Sequence, residues 1–464
     1  MSEAKPEITP EEFMAVMKAI GESEANGRLD IADALCQNLH KKLPNHPHVV
    51  HTRGMIAHKR KRYTEGRFYM LESIKLDPNN YIFFRNITDS FKVANLLDDA
   101  LNTARRAVEL APNDFAANFN LGVIHMERRE YTDALLCAAR AEEIAGNNSD
   151  TDFFKAELNL INKNYEIGWK LYERRFEIQG GKGSLPESLN NCPRWDKQEN
   201  VVILVLGDQG YGDNIQFMRF IPAFIAKFPT VQIKIGCSAE MIPIFSVYKD
   251  RVEGIYNDTK VAGHYDYFLP VSSLAHHLEI YSDDKITDPA PLINLYQENL
   301  FPIKETAKTK VGLVWAGRAA HKNDSKRSMM ISNAMKLLEQ EDLAVYSLQT
   351  APRNADLMSI DSSRIKAEFN DVGGQLQTWD HTISLICKLD CVVTVDTAIA
   401  HLAGSLGKNV YLMLPYSCDW RWGIDAETTP WYPTMTIIRQ NTYGDWDSVI
   451  NKVIEKIQCL PSRA

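Results

Sequence analysis

The 464-residue sequence predicts an α-helical repeat array up to about position 180, followed by α/β structure in two halves. Three observations predict it. The first region is self-similar at a period of about 34 residues. A stretch rich in Gly, Pro, Ser and Asn interrupts the chain near 180–200, and beyond it short apolar runs alternate with helical patterns.

Composition sets the outer bounds. Hydrophobic residues make up 45% and charged residues 24%, as in ordinary globular proteins, and the length implies two to four domains. A net charge of -8 speaks against a nucleic-acid partner, which needs concentrated Lys and Arg. The start, MSEAKPEITPEEF, has neither the basic nor the apolar region of an export signal, and no apolar run is long enough for a transmembrane segment. Eight cysteines are scattered without CxxC pairs, so the expected location is a reducing cytoplasm. Cys387 and Cys391, inside LICKLDCVVTV, read as buried thiols rather than metal ligands.

The repeats come first. Pro44, Pro78 and Pro112 recur at one constant spacing, and the same spacing separates Tyr63, Leu97 and Tyr131, then Gly66, Ala100 and Ala134, then Ser73, Ala107 and Ala141. Gly54 and Gly122 are two periods apart. Small residues let paired helices approach, and proline cannot continue a helix. This is the tetratricopeptide (TPR) pattern, with units at 13–46, 47–80, 81–114 and 115–148. A degenerate fifth keeps Tyr165, Gly168 and Tyr172 in step. Such an α-solenoid has a concave groove for a peptide or protein ligand, or serves as a scaffold alone.

After the break, VVILVLG, VQIKIG, YDYFLP, VGLVWAG, AVYSLQ, DCVVTVD, NVYLMLP and TIIRQ read as buried strands alternating with helices. Gly-bearing strand ends near 207 and 317 suggest two Rossmann-like halves with ligands at the carboxyl ends of the strands. The expected divisions are a tail at 1–12, repeats at 13–182, a linker at 183–199, Rossmann-like halves at 200–303 and 304–440, and a closing helix with tail at 441–464. The polar segment KETAKTK is the expected hinge between the halves.

Three strand ends offer chemistry. In the turn from Gly207 to Asp213, Gly210 and Gly212 let backbone amides approach a ligand, Gln209 lies between the glycines of the turn, and the next helix start favours an anion. Asp213 either accepts a proton from a hydroxyl or caps that helix. After CVVTV, Asp396 and Thr397 cap a helix beginning at Ala398, whose free amides hold a diphosphate without metal. His401, on the same face as Thr397, is either part of that site or a structural histidine. The third is Gly317 with the basic loop from Arg318 through His321, Lys322, Lys326 and Arg327, which either neutralises a diphosphate or lies in solvent. Gln349 ends a neighbouring strand in the same crevice. Trp315, Trp420, Trp422 and Trp431 either stack on a ring or pack in the core.

These segments resemble the bacterial heptosyltransferase family of inverting glycosyltransferases, especially its repeat-containing branch. PRWD, GDQGYGDNIQF, VDTAIAHLAGSLGKNVYLMLP, DWRW, PWYPTM and GDWDS carry the likeness over roughly residues 165–450, with DTAIAH the most specific. The resemblance implies a GT-B fold of two Rossmann-like domains, acceptor side first. It implies Asp213 as general base, with Gln209, Gly210 and Gly212 in the acceptor loop. It makes Arg327 or Lys326 the diphosphate-neutralising cation, and Asp396, Thr397, Ala398 and His401 the donor-helix start, with Gly317 and Gln349 alongside. Family members usually have Gly where this chain has Ala398, and the first half is shorter than in the lipopolysaccharide enzymes. In plan, the chain is also similar to protein O-GlcNAc transferases.

The expected function is inverting, metal-independent transfer of a sugar from a nucleotide-diphosphate donor to a hydroxyl of a glycan, protein or other macromolecule, with no resident cofactor. The alternatives are a non-catalytic TPR adaptor with a nucleotide-sensing module and a nucleotide-sugar epimerase.

Overall fold

The computed structural model describes residues 8–146, 148–178, 189, 192–258, 260–321 and 323–460. Lys322 of the basic loop, much of the expected linker and both chain ends lie outside them. The chain forms two compact units, Met1–Thr151 and Asp152–Ala464.

The first unit is an array of helix pairs: α1 (Pro10–Ala25) with α2 (Leu29–Lys42), α3 (Pro47–Lys59) with α4 (Tyr63–Leu76), α5 (Tyr81–Val93) with α6 (Leu97–Leu110), and α7 (Phe115–Glu127) with α8 (Tyr131–Ala145). The second helix of each pair starts one full period after the last. The in-step small residues are all buried where paired helices meet. Gly54 and Gly66 face each other most closely: a Cβ on either would lie 2.9 Å from the other's carbonyl oxygen. Pro44, Pro78 and Pro112 stand two residues beyond their helices.

The turn inside each pair carries a second periodicity that is not visible as a residue type. Gly27, Lys61, Asn95, Arg129 and Lys163, again one period apart, all adopt φ between 61° and 71°. The next residue donates back to the helix, as Arg62 N does to Ala57 O at 2.9 Å and Leu96 N to Phe91 O at 3.0 Å. Each first helix therefore ends in a Schellman-type turn that reverses the chain.

The second unit begins within α9 (Ser149–Ile161) and includes α10 (Tyr165–Tyr172). The fifth repeat thus belongs to the α/β unit, whereas the sequence suggested that the repeats run to 182. Its aromatic residues find partners there: Trp169 Nε1 donates to Ile280 O at 2.8 Å and Tyr165 Oη to Asp283 Oδ1 at 2.7 Å.

Among the described residues ten strands follow, in two all-parallel sheets. The first holds β1 (Val202–Leu206), β2 (Gln232–Cys237), β3 (Gly254–Asn257) and β4 (Tyr267–Pro270), ordered β3-β2-β1-β4. The second holds β5 (Thr309–Val314), β6 (Leu343–Ser347), β7 (Glu368–Asp371), β8 (Cys391–Val395), β9 (Asn409–Leu414) and β10 (Met435–Arg439), ordered β10-β9-β8-β5-β6-β7. Each is the doubly wound order, with its switch point between β1 and β4 and between β5 and β8. The sequence did not suggest β3 and β7. Both are four-residue edge strands, GIYN and EFND, with no fully buried residue, so neither has the apolar run that marks the central strands.

A closing helix, Trp446–Gln458, lays Trp446, Val449, Ile450, Val453 and Ile457 on the core of the second sheet. All eight cysteines are free. Cys391 is buried in β8, where burial pushes its thiol up to about 12.

Two measurements test the array. Lys61 is exposed and left-handed, so Lys61→Gly should raise the stability of the first unit by up to about 1 kcal/mol, and Lys61→Val should lower it, in denaturant titrations. His51 is buried against Phe83 and bonded to Ser73 and Asn86, and burial lowers its pKa to about 4. Its unfolded value is near 6.5, so its contribution is complete above that pH and is lost as pH falls through 4, by about 3 kcal/mol in all. Thermal unfolding of His51→Gln should show a shallower decline between pH 7 and 4 than the parent.

Candidate functional site

The carboxyl ends of β5 and β8 flank the switch point of the second sheet. Here Arg327, Gly317 and Asp396 come together. The Arg327 guanidinium lies over Gly317, where a Cβ would fall 2.6 Å from Nη2, and Nη1 donates to Asp396 O at 3.1 Å. Gly317 is therefore required for close approach, and its own N-H donates to Ser328 Oγ at 2.9 Å. Arg327 Nε is buried without a hydrogen-bond partner among the described residues. Lys326 is half-buried next to it in sequence.

Thr397 holds the N-cap position of the Ala398–Ser405 helix but makes no capping bond, its Oγ1 lying 3.2 Å from Thr394 Oγ1. The expected Asp-Thr cap is therefore not formed by side chains, and the first amides of the helix are left to another acceptor. Asp396 beside them is raised to about 6, by burial first and the nearby Asp419 charge second, against Arg327, Trp422 and Arg421. Gln349 is buried and structural in its contacts: its Oε1 accepts from Trp315 N at 3.2 Å and Ala316 N at 3.0 Å, closing the end of β5 onto β6.

In the first half, α11 (Tyr211–Phe217) follows β1 through the turn 207–210. Asp213 both caps and pairs. Its Oδ2 accepts from Gly210 N at 2.9 Å, and its Oδ1 meets Arg421 Nη2. The anion site expected at this helix start is thus taken by the chain's own carboxylate. Burial raises the Asp213 pKa, outweighing the lowering by Arg421 and the Gly210 amide. Gln209 is left-handed at φ 61°, and its Nε2 donates to Tyr172 Oη of the fifth repeat at 2.8 Å. Behind the turn, Asp208 accepts from Ser272 N at 3.1 Å, Ser272 Oγ at 2.6 Å and the fully buried Arg175 at 3.3 Å, tying β1, β4 and the fifth repeat together.

The two halves meet where α11 packs on the Ala398–Ser405 helix. A Cβ on Gly212 would lie 2.7 Å from His401 Cδ2 and 3.5 Å from Ala398 Cα. His401 is buried in this interface. Its Nδ1 lies 2.9 Å from Tyr432 Oη and its ring is 5.3 Å from that of Trp422. Burial, with the charges of Arg421 and Arg219, lowers its pKa to about 3, so it is neutral at working pH and supplies no positive charge.

Several contacts at this junction had no signal in the sequence. Arg421 reaches Asp213 and Gln216 of α11 from the segment after β9. Arg219 Nη1 reaches Trp431 O at 2.6 Å, and Tyr211 meets Trp379 edge-on at 5.7 Å. The four tryptophans expected as stacking or packing residues are buried, Trp315 completely and Trp420 at 6% exposure. Among the described residues, one group has ligand atoms spaced for a metal, His125, Glu130 and Asp133 of the first unit. Glu130 there already accepts from His125, at 2.6 Å, and from Arg128, at 2.9 Å. No helix among the described residues is long and apolar enough to cross a membrane.

No protein-family model matches the chain. Protein FlbA of Caulobacter vibrioides (strain ATCC 19089 / CIP 103742 / CB 15) is 22% identical over 322 residues, which cover 62% of this chain and 51% of FlbA. The chain thus spans about half the length of the curated relative it matches. Similar solved structures include MamA from Desulfovibrio magneticus RS-1 (13% identical, 36% of this chain and 94% of that one, TM-score 0.32). They also include TTC0263, a thermophilic TPR protein in Thermus thermophilus (15% identical, 35% and 90%, TM-score 0.32). A third is YrrB, a TPR protein with an unusual peptide-binding site (18% identical, 36% and 85%, TM-score 0.30). The period of the helix pairs, rather than these overlaps, makes the first unit an array of TPR type.

The Gly212 contact can be tested directly. Gly212→Ala should destabilise the second unit by about 1–3 kcal/mol through overpacking. His401→Ala should rescue part of that loss, so additive single and double variants in a denaturation cycle would discount the contact.

Proposed function

We propose that residues 152–464 form an inverting, metal-independent glycosyltransferase of GT-B type, moving a sugar from a nucleotide-diphosphate donor to a hydroxyl of a macromolecular acceptor. The carrying observation is that Arg327 and Asp396 meet beside the start of the Ala398–Ser405 helix at the switch point of the second sheet, while Gly212, next to Asp213 on α11, packs against Ala398 of the same helix. Ligands of such sheets lie at those points, and a helix start with an adjacent guanidinium suits a diphosphate.

In this reading, Asp213 accepts the proton of an acceptor hydroxyl as that oxygen bonds to the anomeric carbon. The bond from that carbon to the diphosphate breaks, and the leaving charge falls on Arg327, Lys326 and the helix amides. Burial makes Asp213 more basic than an exposed carboxylate, which suits it to this step. His401 orients the two helices rather than meeting the phosphates.

For the repeat array we propose a peptide or protein ligand, in keeping with its stacked first helices, α3 beside α5 and α5 beside α7. An adaptor with a nucleotide-sensing module is favoured by one observation, the engagement of both Asp213 oxygens.

A turnover assay separates these readings, after thermal-shift screening with ADP-, GDP-, UDP- and CDP-sugars has identified a donor. Asp213→Asn should lower turnover about 10²- to 10⁴-fold without loss of donor affinity; an unimpaired variant would remove the base assignment. Arg327→Gln should weaken nucleotide binding about tenfold or more, and unchanged affinity would pass that role to Lys326 or Lys322. Donor binding with no turnover on any acceptor would favour the sensor.

A further inference from the structure

Arg421 is engaged on every side. Its guanidinium carbon lies 4.4 Å from the centre of the Trp420 ring. Its Nε donates to Gln216 Oε1, its Nη1 to Asp419 Oδ1 at 2.8 Å, and its Nη2 to Asp213 Oδ1. Gln216 and Asp213 belong to α11 of the first half, whereas Arg421 and Asp419 follow β9 of the second. The Arg421 side chain is 8% exposed, against 20% for Asp213 and 35% for Asp419. Its charge also acts on Asp396 and on His401, at the start of the Ala398–Ser405 helix.

Three carboxylates, Asp213, Asp396 and Asp419, therefore surround two guanidiniums, Arg421 and Arg327. Arg327 donates to a backbone carbonyl, a weak competitor for an anion. Arg421 donates to two carboxylates, and one of them is the group that the proposed reaction needs as a base. A diphosphate at the helix start would draw a guanidinium from a singly charged carboxylate, since charge-assisted bonds strengthen with the charge of the acceptor.

We infer that Arg421 exchanges partners: it holds Asp213 as the structure shows it, and turns to the phosphates when a nucleoside diphosphate occupies the start of the Ala398–Ser405 helix. The exchange leaves Asp213 Oδ1 open to accept a proton, so the donor must bind before the base is released. Arg421 is thus a ligand of the diphosphate and a positioning residue for Asp213. This rests on the glycosyltransferase reading above.

The test is calorimetric titration of the full chain with ADP, GDP, UDP and CDP, using the parent, Arg421→Gln, Arg421→Lys, Asp213→Asn and the double variant Asp213→Asn with Arg421→Gln. For whichever nucleotide the parent binds, Arg421→Gln should weaken affinity about tenfold or more. Arg421→Lys, which keeps the charge but not the fork, should fall between. Asp213→Asn should bind several-fold tighter than the parent, because it releases Arg421, and a merely damaged fold does not gain affinity. The double variant should bind no tighter than Arg421→Gln. Parent-like affinity in Arg421→Gln, or unchanged or weaker binding in Asp213→Asn, overturns the exchange while leaving the functional reading intact. A parent that binds none of the four overturns both.

Discussion

The absence of a side chain at position 212 is what lets the two parallel sheets meet. His401 fills the space that a Cβ at 212 would need, and the helices carrying these residues pack face to face. Everything else at the junction follows from that approach. Tyr211 and Asp213, on either side of the glycine, reach Trp379 and Arg421, and further along the same segment Gln216 and Arg219 reach Arg421 and Trp431. A bulkier residue would displace all of these contacts together, because they share one short stretch of chain.

The buried charges at the junction fall into two kinds. Asp208 is fully matched: a backbone amide, a serine hydroxyl and a guanidinium with no exposure satisfy it. Removing one partner from such a pair costs about 3–5 kcal/mol, so Asp208 and Arg175 are read as architecture. The group around Arg421 is not balanced in this way. Its surplus acid shows in Asp396, which burial and Asp419 raise to about 6. Carboxylates perturbed in this way cluster at functional sites more than in cores.

Much of the fold was legible because its determinants are local. Gly66, Ala100 and Ala134 recur because close helix pairs demand small residues, and the central strands announce themselves as apolar runs buried on both faces. The left-handed turn residues did not, since Lys61, Arg129 and Lys163 show nothing of their φ in their type. Strands β3 and β7 were hidden by their half-exposure at the sheet edges. The site was legible in part. Asp213, Gly317, Arg327 and Asp396 stand at strand ends, where doubly wound sheets present their ligand-facing groups. Arg421 lies 208 residues from Asp213 in a segment whose tryptophans drew the eye instead, and no spacing rule links it to α11. His401 shared the helical face expected of it, but that face is turned into packing against Gly212.

The fifth repeat gives the junction a third wall. Its Tyr172 meets Gln209 in the turn before α11, its Arg175 holds Asp208 behind that turn, and its Trp169 and Tyr172 pack against Trp420. Trp420 in turn carries the guanidinium of Arg421. The pair therefore supports both the Asp213 turn and the Arg421 segment. Within it Gly168 lets α10 approach α9 at Leu160 and Tyr172 meets Phe153, while Tyr165 and Trp169 reach Asp283 and Ile280. Trp420 thus stands between this pair and the guanidinium of Arg421.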